Sequence, residues 1–352
     1  MIFKYEVLRT RVPIGTLFVE SCNIKFDSTA NIKRAAQLVV NSNKLKFNTE
    51  YVKVSNSRRY TKKEIEFDRI KDRIRVYLDD KCLGTFMVCS SPLSTSDKTD
   101  NYEFEVYDES FIIDQSGLES RLFVAAGTKY LDFIFERLAS LGFENIENDN
   151  TDATFLVDRE FEFGKNVLEL INELLKEINY YSIYFDEFGT IHLTKIRESL
   201  TAKHKYADDP KFSIISQPVL VDLDIHKIPN IFIGKVSNPD YPEMFYRKVN
   251  DDPTNILSTK YRGYPVIKTF SLDNIASQQE LENYIDIEYL KCQQVLERVE
   301  ISTAIETNHG LLDTVQIDTE DVKGLYKEIS WEIECSTANN MRHSLERNVI
   351  DL

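Results

Sequence analysis

The chain has 352 residues, 42% of them hydrophobic, and a formal net charge of −15, so it is long enough for two or three domains with filled cores. The negative charge argues against a protein that grips nucleic acid, because affinity for phosphate depends on Lys and Arg. No apolar run approaches the roughly 18 residues of a transmembrane helix, and the start lacks a secretory apolar region, so we expect folding in a cytoplasm without stable membrane binding.

Residues 1–113 are predicted to form a β domain. Strand candidates at a spacing of about ten residues favour a barrel or a sandwich, and they are Leu17–Phe26, Asn31–Val40, Arg73–Leu78, Leu83–Ser90 and Tyr102–Ile113. Asp79-Asp80-Lys81 is predicted to be a hairpin turn. The stretch from Ala30 to Val40 is also compatible with a short helix, because of its Ala-Ala pair.

Two polar stretches interrupt this domain and are typical of long loops. Residues 55–63 read SNSRRYTKK and are basic, whereas residues 90–101 read SSPLSTSDKTDN. We interpret the basic stretch as a solvated loop, with contact to an acidic partner as the alternative.

Residues 114–205 are predicted to form an α+β domain with two helices on a small sheet. A first helix runs from Thr128, as its cap, to Leu141, and Gly142 follows where a helix-ending glycine belongs. A polar link at Glu144–Asp152 and a short strand at Thr154–Val157 come next.

The pattern is strongest in residues 164–193, which read GKNVLELINELLKEINYYSIYFDEFGTIHL. Apolar residues at steps of one, three and four predict a helix over Lys165–Asn179. Alternation then predicts a strand ending at Phe185, a turn at Asp186–Gly189 and a return strand through Ile191 and Leu193.

Residues 206–352 are predicted to be a second β domain with one long helix at about 278–298. The helix starts with a capping box at Ser277 and Glu280, and Asn238–Tyr264 is predicted to be a loop. The strand candidates are Val219–Ile225, Ile231–Val236, Val266–Phe270, Val299–Ile305, Val315–Ile317 and Ile329–Glu334. No short tandem repeat is present, but two similar β domains of low mutual similarity stay possible.

A search for catalytic and metal-binding motifs finds none. The glycines are mostly isolated, so no phosphate-binding loop is present. The five histidines are far apart in sequence, and the five cysteines are scattered without a C-x-x-C pair, so we expect structural histidines and reduced thiols and predict no metal, cofactor or catalytic residue. These residues are His192, His204, His226, His309, His343, Cys22, Cys82, Cys89, Cys292 and Cys335.

Three acidic residues are weighed as candidates. Glu160 and Glu162 flank Phe161 and are expected on one strand face, which suits either glycosidase-type acid–base chemistry or an ordinary solvent face, and we favour the latter. Asp313 precedes a strand, and we expect it to shape a turn.

The arrangement resembles the tail hub (baseplate hub) proteins of bacteriophages and phage-tail-like particles, particularly contractile ones of Gram-positive hosts. Residues 164–193 and the helix at Gly127–Gly142 carry the resemblance in the middle of the chain. His309–Val315 is similar to the family's L-x-x-G-D-x-V entry into a barrel strand, although Leu312 stands where the family has Gly. The closing strands correspond to Trp331–Ile333 and Met341–Arg347.

The resemblance implies a mostly β, α+β protein in which two barrels similar to the tail-tube subunit flank a small α+β domain. It also implies a homotrimeric ring that adapts a sixfold tail tube to a threefold central spike in the tail of a virion or phage-tail-like particle. Its partners would be the tube protein, the spike and other baseplate proteins, with the tape measure protein as a further candidate and DNA only as passing cargo. The alternatives are a hub-associated cell-wall hydrolase and a nucleic-acid-binding β-barrel.

Overall fold

The computed structural model describes residues 2–53, 60–95, 100–197, 201–209, 211, 215–223, 225–236, 243–272, 277–292, 295–336 and 340–349. The chain is mostly β, with 46% strand and 16% helix, which confirms the predicted class. The loops predicted at 55–63, 90–101 and 238–264 lie partly outside the described residues. The domain boundaries after residues 113 and 205 stay predictions.

The elements follow in chain order. The first part holds β1 (Phe3–Arg9), β2 (Val12–Leu17), β3 (Ser21–Asp27), β4 (Arg34–Asn41), β5 (Lys46–Lys53), β6 (Tyr60–Glu66), β7 (Arg73–Leu78), β8 (Lys81–Ser90), β9 (Leu93–Thr95) and β10 (Asp100–Tyr107). The middle part holds α1 (Ser110–Asp114), β11 (Leu122–Val124), α2 (Tyr130–Ser140), β12 (Ile146–Asn148), β13 (Arg159–Phe161), α3 (Val167–Glu177), β14 (Tyr184–Phe185) and β15 (Ile191–Leu193). The last part holds β16 (His204–Ala207), β17 (Ser216–Leu223), β18 (Ile231–Val236), β19 (Met244–Val249), α4 (Thr259–Arg262), β20 (Ile267–Leu272), α5 (Gln278–Cys292), β21 (Val295–Thr303), β22 (Thr314–Asp318), β23 (Lys323–Glu334) and β24 (Met341–Val349).

One 14-stranded sheet joins the two ends of the chain. Its main path is β17-β21-β24-β23-β3-β4-β10-β8-β7-β1-β2, with β22, β16 and β9 attached beside it. The first half of β23 pairs with β22, and its second half, Ser330–Glu334, pairs with Asn23–Asp27 of β3. The described residues therefore contain no closed barrel, and the predicted pair of barrels is not confirmed.

The large sheet contains the same strand order twice. The first set runs β1-β7-β8-β10-β4-β3, and the second set runs β16-β22-β23-β24-β21-β17. If the six strands of each set are numbered along the chain, both sets read 1-4-5-6-3-2. The pairings within each set are antiparallel except for β16 with β22, which is parallel. The possibility of two similar β domains thus has a counterpart in topology, although the sequence shows no repeat.

The described residues form four buried hydrophobic clusters. The first lies under the first strand set and includes Trp331, Ile333 and Met341 from β23 and β24. The second lies in the α+β part, where α2 and α3 pack on the small strands. The third lies under the second strand set. The fourth lies between α5 and the sheet β19-β18-β20, where Leu281 and Ile285 face Phe232.

The α+β part follows the sequence pattern closely at its centre. The Asn166 side chain caps α3 by accepting from the Glu169 N–H at 2.9 Å, and the predicted apolar stripe is buried. The β14–β15 hairpin turns at Gly189 with φ of +88°, as expected. The cap of α2 was predicted wrongly, since Lys129 occupies that position without a side-chain hydrogen bond. Thr154 makes only an isolated bridge, and the predicted polar link contains β12.

Other boundaries also differ from the sequence prediction. The long helix ends at Cys292, because the β-branched residues from Val295 onward form β21 and pair with β24. Phe111–Ile113 belong to α1, since the buried Asp108 carboxylate accepts from the Ser110 N–H at 2.9 Å and starts a helical turn. The Ala-Ala segment is strand β4. Strands β1, β2, β5, β11 and β16 were not predicted. The described parts of the three predicted loops contain β6, β9, β19 and α4, so the loop prediction was wrong there.

The turn of the β14–β15 hairpin holds the α+β part against the first strand set. The Thr85 hydroxyl donates to the Glu187 carbonyl at 2.8 Å, and the Glu187 carboxylate lies 3.4 Å from the buried Arg34 guanidinium. The Arg75 guanidinium stacks over the Phe188 ring at 5.4 Å. Residues 164–193, where the sequence pattern is strongest, therefore also connect the α+β part to the first strand set.

Gly234 allows α5 to lie directly on its sheet. A Cβ at this position would come within 2.8 Å of both Ile285 Cγ1 and Leu281 Cδ1. We expect Gly234→Ala to destabilise the protein by about 1–3 kcal/mol, because the helix must shift. The control is Gly117→Ala, whose added Cβ would meet its nearest atom at 3.6 Å, and thermal denaturation compares the two. Equal melting temperatures for both variants would contradict this account.

Leu312 has a left-handed backbone, with φ of +48°, at the position where the resembled family has Gly. Such a conformation costs a residue with a Cβ about 1–2 kcal/mol, and glycine relieves it at some cost in chain entropy. We expect Leu312→Gly to be about 1 kcal/mol more stable than Leu312→Ala, since both lack the Leu side chain and only the glycine relieves the backbone. Denaturant unfolding measures the difference, and a more stable alanine variant would disprove the assignment.

Candidate functional site

Two of the acidic candidates from the sequence share one arginine at the surface. Glu160 and Glu162 are exposed, and their carboxylates lie 3.6 Å and 3.1 Å from the guanidinium of Arg121. A guanidinium shared between two solvent-exposed acids is an ordinary surface ion pair. We therefore find the solvent-face interpretation of these residues better supported than acid–base chemistry.

Three of the five histidines, which the sequence placed far apart, come together in the second strand set. His204 begins β16, His343 lies on β24, and His309 lies in the segment between β21 and β22. The rings of His204 and His309 stack with centroids 3.7 Å apart, and the His343 ring lies 5.0 Å from that of His309. All three side chains are buried. Their burial and mutual contacts agree with the structural role expected for the histidines, but their clustering was not predicted.

Glu328 of β23 bridges two of these rings. Its carboxylate oxygens lie 2.5 Å from His309 Nδ1 and 2.6 Å from His343 Nδ1. Burial alone would raise the pKa of Glu328, but the two hydrogen bonds hold it below its ordinary value. An ionised carboxylate only accepts hydrogen bonds, so both Nδ1 atoms carry a proton. The Nε2 atoms lie beside hydroxyl groups, at 2.9 Å from that of Tyr206 for His309 and 2.8 Å from that of Thr303 for His343.

The outer side of this network carries two more acids. Glu306 Oε1 lies 3.5 Å from His204 Nδ1, and Asp313 Oδ2 lies 3.5 Å from His204 Nε2. Asp313 also accepts from the Gly310 N–H at 2.6 Å and pairs with Lys203 at 2.8 Å, which confirms the turn-shaping role expected for it. Burial raises the pKa of Asp313, but these hydrogen bonds outweigh it and lower the pKa. Burial lowers the pKa of His204, and the neighbouring carboxylates outweigh this and raise it.

The network contains two sets of three residues, and the side chains of each set lie close enough together to bind a metal ion. One is His204, Glu306 and His309, and the other is His309, Glu328 and His343. No sequence spacing could reveal either group, because His204, Glu306 and Glu328 meet only through strand pairing and a loop. The single available signal is the alternation of His204 and Tyr206 on one short strand, which places both side chains on the same face.

The remaining histidines and the cysteines have separate environments. His192 stacks on Tyr184 at 5.0 Å beside Asp186, and His226 Nδ1 lies 3.4 Å from the Tyr264 hydroxyl. All five cysteines are free, as expected. Cys335 donates its N–H to the Cys22 carbonyl at 2.8 Å, so these two residues lie opposite each other at the β3–β23 junction.

A polar face crosses the junction between the two strand sets. Ser302, Arg342, Glu332, Lys25 and Ala35 lie side by side on β21, β24, β23, β3 and β4. Asn23 donates to Glu332 at 2.5 Å across the junction. A groove of about 560 Å³ follows this face and includes further acids such as Glu334. The face is polar because these residues alternate with the buried ones below it.

No protein-family model matches the chain, and no curated protein matches its sequence. The fold, in contrast, matches solved structures. The tail protein from Neisseria meningitidis MC58 superposes with a TM-score of 0.67 at 10% identity, covering 99% of this chain and 97% of that chain. The 43 kDa tail protein of prophage MuSo2 from Shewanella oneidensis superposes with a TM-score of 0.66 at 11% identity, covering 98% of each chain.

A third similar structure is the E. coli c3393 protein, a component of the type VI secretion system with structural similarity to the T4 phage tail proteins gp27 and gp5. Its TM-score is 0.52 at 7% identity, and the match covers 97% of this chain and 76% of that chain. The predicted resemblance to phage tail hub proteins is thus confirmed for the fold. Among the described residues, no helix is long and apolar enough to cross a membrane.

The bridging role of Glu328 can be tested by changing its carboxylate to an amide. Glu328→Gln would place an NH2 group against one Nδ1–H, and we expect a loss of about 3 kcal/mol in the free energy of unfolding. Glu334→Gln, an exposed change on the same strand, should stay within about 0.5 kcal/mol of the wild type. Denaturant unfolding measures both, and a Glu328→Gln protein as stable as its control would contradict the assigned network.

Proposed function

We propose that this chain is a non-enzymatic tail hub protein, three copies of which form a ring that adapts a sixfold tail tube to a threefold central spike. The fold of phage tail proteins over nearly the full length of the chain supports this proposal. The observation that carries it is the repeated strand order. A chain that presents two similar strand sets lets three copies offer six similar surfaces, which suits contact with a sixfold partner.

The junction inside the chain suggests how the ring closes. Strand β3, second in its set along the chain, pairs with the second half of β23, fifth in the other set. At a junction between two copies, the corresponding strands are β17, which is second in the second set, and β8, which is fifth in the first set. Strand β17 ends the path of the main sheet, and Val88–Ser90 extend β8 beyond Met87, where its pairing with β7 stops. We propose that β17 of one copy pairs with this end of β8 in the next copy.

The side chains on β17 fit such a contact. Leu220 and Val221 are 57% and 51% exposed, although they lie on neighbouring positions and therefore point to opposite faces. A strand at the edge of a sheet, with apolar side chains on both faces, is a favourable place for pairing with another chain. Closure of the ring would cover this edge in every copy.

The polar face across the β3–β23 junction is proposed to line the channel of the ring. Its acids, among them Glu332, Glu334 and Glu300, agree in sign with the net charge of −15. Like charge disfavours lasting attachment of nucleic acid, so DNA or a tape measure protein would pass without binding tightly. The proposed stable partners are the tube protein, the central spike and other baseplate proteins, and the proposed location is the tail tip of a virion or phage-tail-like particle made in a bacterial cytoplasm.

The mass of the purified protein in solution tests this proposal. A ring of three copies has about three times the 41.0 kDa mass of one chain, which light scattering after size exclusion resolves. We expect Leu220→Lys/Val221→Lys to shift the protein to monomer, because charged side chains block edge pairing. The control is Ile287→Lys/Leu290→Lys, which changes two exposed apolar residues of α5 and should leave the trimer intact.

If the wild type alone is monomeric, its mass in solution is measured again with the central spike protein added. A wild type that stays monomeric with the spike present contradicts the ring. A trimer that both double variants retain contradicts the β17 edge but not the ring. Clearing of a peptidoglycan zymogram by the pure chain would contradict the non-enzymatic role.

A further inference from the structure

We infer that His204, Glu306 and His309 form a binding site for a divalent transition metal ion of the Zn²⁺ class. The inference is independent of the ring proposed above, because all three residues belong to one chain. Two imidazoles and one carboxylate are a common ligand set for this ion, with a water or another ligand in the fourth position. The three ligand atoms lie within 4.8 Å of one another.

The spacing of the ligand atoms fits this ion. Bonds of about 2.0–2.1 Å in a tetrahedron place neighbouring ligand atoms about 3.4 Å apart. Glu306 Oε1 lies 3.5 Å from His204 Nδ1, and the other oxygen of the same carboxylate, Oε2, lies 3.8 Å from His309 Nε2. With one atom taken from each residue, all three lie within 4.8 Å of one another, so a modest shift brings them to this spacing. By the same measure the Glu328 group is unsuitable, because its separations of 2.5 Å and 2.6 Å are hydrogen bonds.

Both proposed histidine ligands have a carboxylate on their other nitrogen. His309 Nδ1 donates to Glu328, which leaves Nε2 with the lone pair that a metal needs. If His204 binds through Nδ1, its Nε2–H faces Asp313 at 3.5 Å. Such outer carboxylates orient histidine ligands in metal sites and increase their basicity. In the structure described, His204 Nε2 is buried and has no hydrogen-bond partner among the described residues, so the ring is not yet fixed there.

Binding requires small movements that the contacts allow. The His204 and His309 rings are nearly parallel, at 12°, so the His204 ring has to turn before both lone pairs point at one ion. The Tyr206 hydroxyl lies 2.9 Å from His309 Nε2 and 3.3 Å from Glu306, so it can turn from the imidazole to the carboxylate as the ion enters. The Glu306 side chain is 42% exposed, which gives the ion a path from solvent.

Metal binding would fasten the segment between β21 and β22 to the start of β16. Glu306 and His309 lie in that segment, and His204 lies on β16. We expect the purified full chain, stripped of metal and then dialysed against Zn²⁺, to retain one ion per chain by elemental analysis. Zn²⁺ should raise the melting temperature, because it binds the folded state preferentially. Co²⁺ should give the intense visible band of a four-coordinate site.

Glu306→Gln tests the site with little risk to folding, because Glu306 is partly exposed. We expect it to weaken Zn²⁺ binding at least about tenfold and to remove the Co²⁺ band, while its metal-free melting temperature stays near that of the wild type. Glu119→Gln, an exposed change in the α+β part, is the control and should bind as the wild type does. A wild type that retains no ion, or Glu306→Gln binding with unchanged affinity, would overturn the inference, whatever the oligomeric state.

Discussion

The pairing of β3 with β23 is the constraint on which the rest of the structure depends. The ladder pairs five residues of each strand, and the two strands lie about 300 positions apart in the chain. The interactions of this one ladder therefore have to offset a large entropic cost of loop closure. The ladder is supported on its buried side, where Phe26 and Trp331 stack with centroids 5.7 Å apart. Because Trp331, Ile333 and Met341 belong to the first core, the first strand set is packed only when the end of the chain is in place.

Strand β23 combines this junction with the buried polar network. Its residues alternate, so Trp331 and Ile333 face one core while Glu332 lies on the polar face. Glu328 lies nearer the start of the strand, at the register shift between Glu328 and Ser330 in the pairing with β24. A bulge of this kind re-aims a side chain, and here the carboxylate meets two imidazoles. One strand thus sets both the contact between the strand sets and the environment of the histidines.

The sequence predicted what depends on local patterns. Helix α3 and the β14–β15 hairpin were found because their apolar spacing, cap and turn glycine all agree within thirty residues. Helix α5 was predicted too long, since the apolar spacing of residues 292–299 fits either structure and only pairing with β24 decides it. The convergence of His204, His309 and Glu328 was missed, because it exists only after distant strands pair. Two similar β domains were only a possibility from the sequence, because topology survives when sequence similarity is lost, and the strand order itself became visible only in the structure.

The separation of about 300 residues between β3 and β23 has a consequence during synthesis. Until the ribosome has released this strand, β3 has an uncovered edge and the Phe26 ring has no stacking partner, although β4 and β10 are already complete. A chain that is still being synthesised, or that is truncated before β23, would therefore expose the edge of β3 to pairing with other chains. Only a chain that extends through β23 can cover this edge, so the pairing of β3 depends on synthesis having passed Glu334.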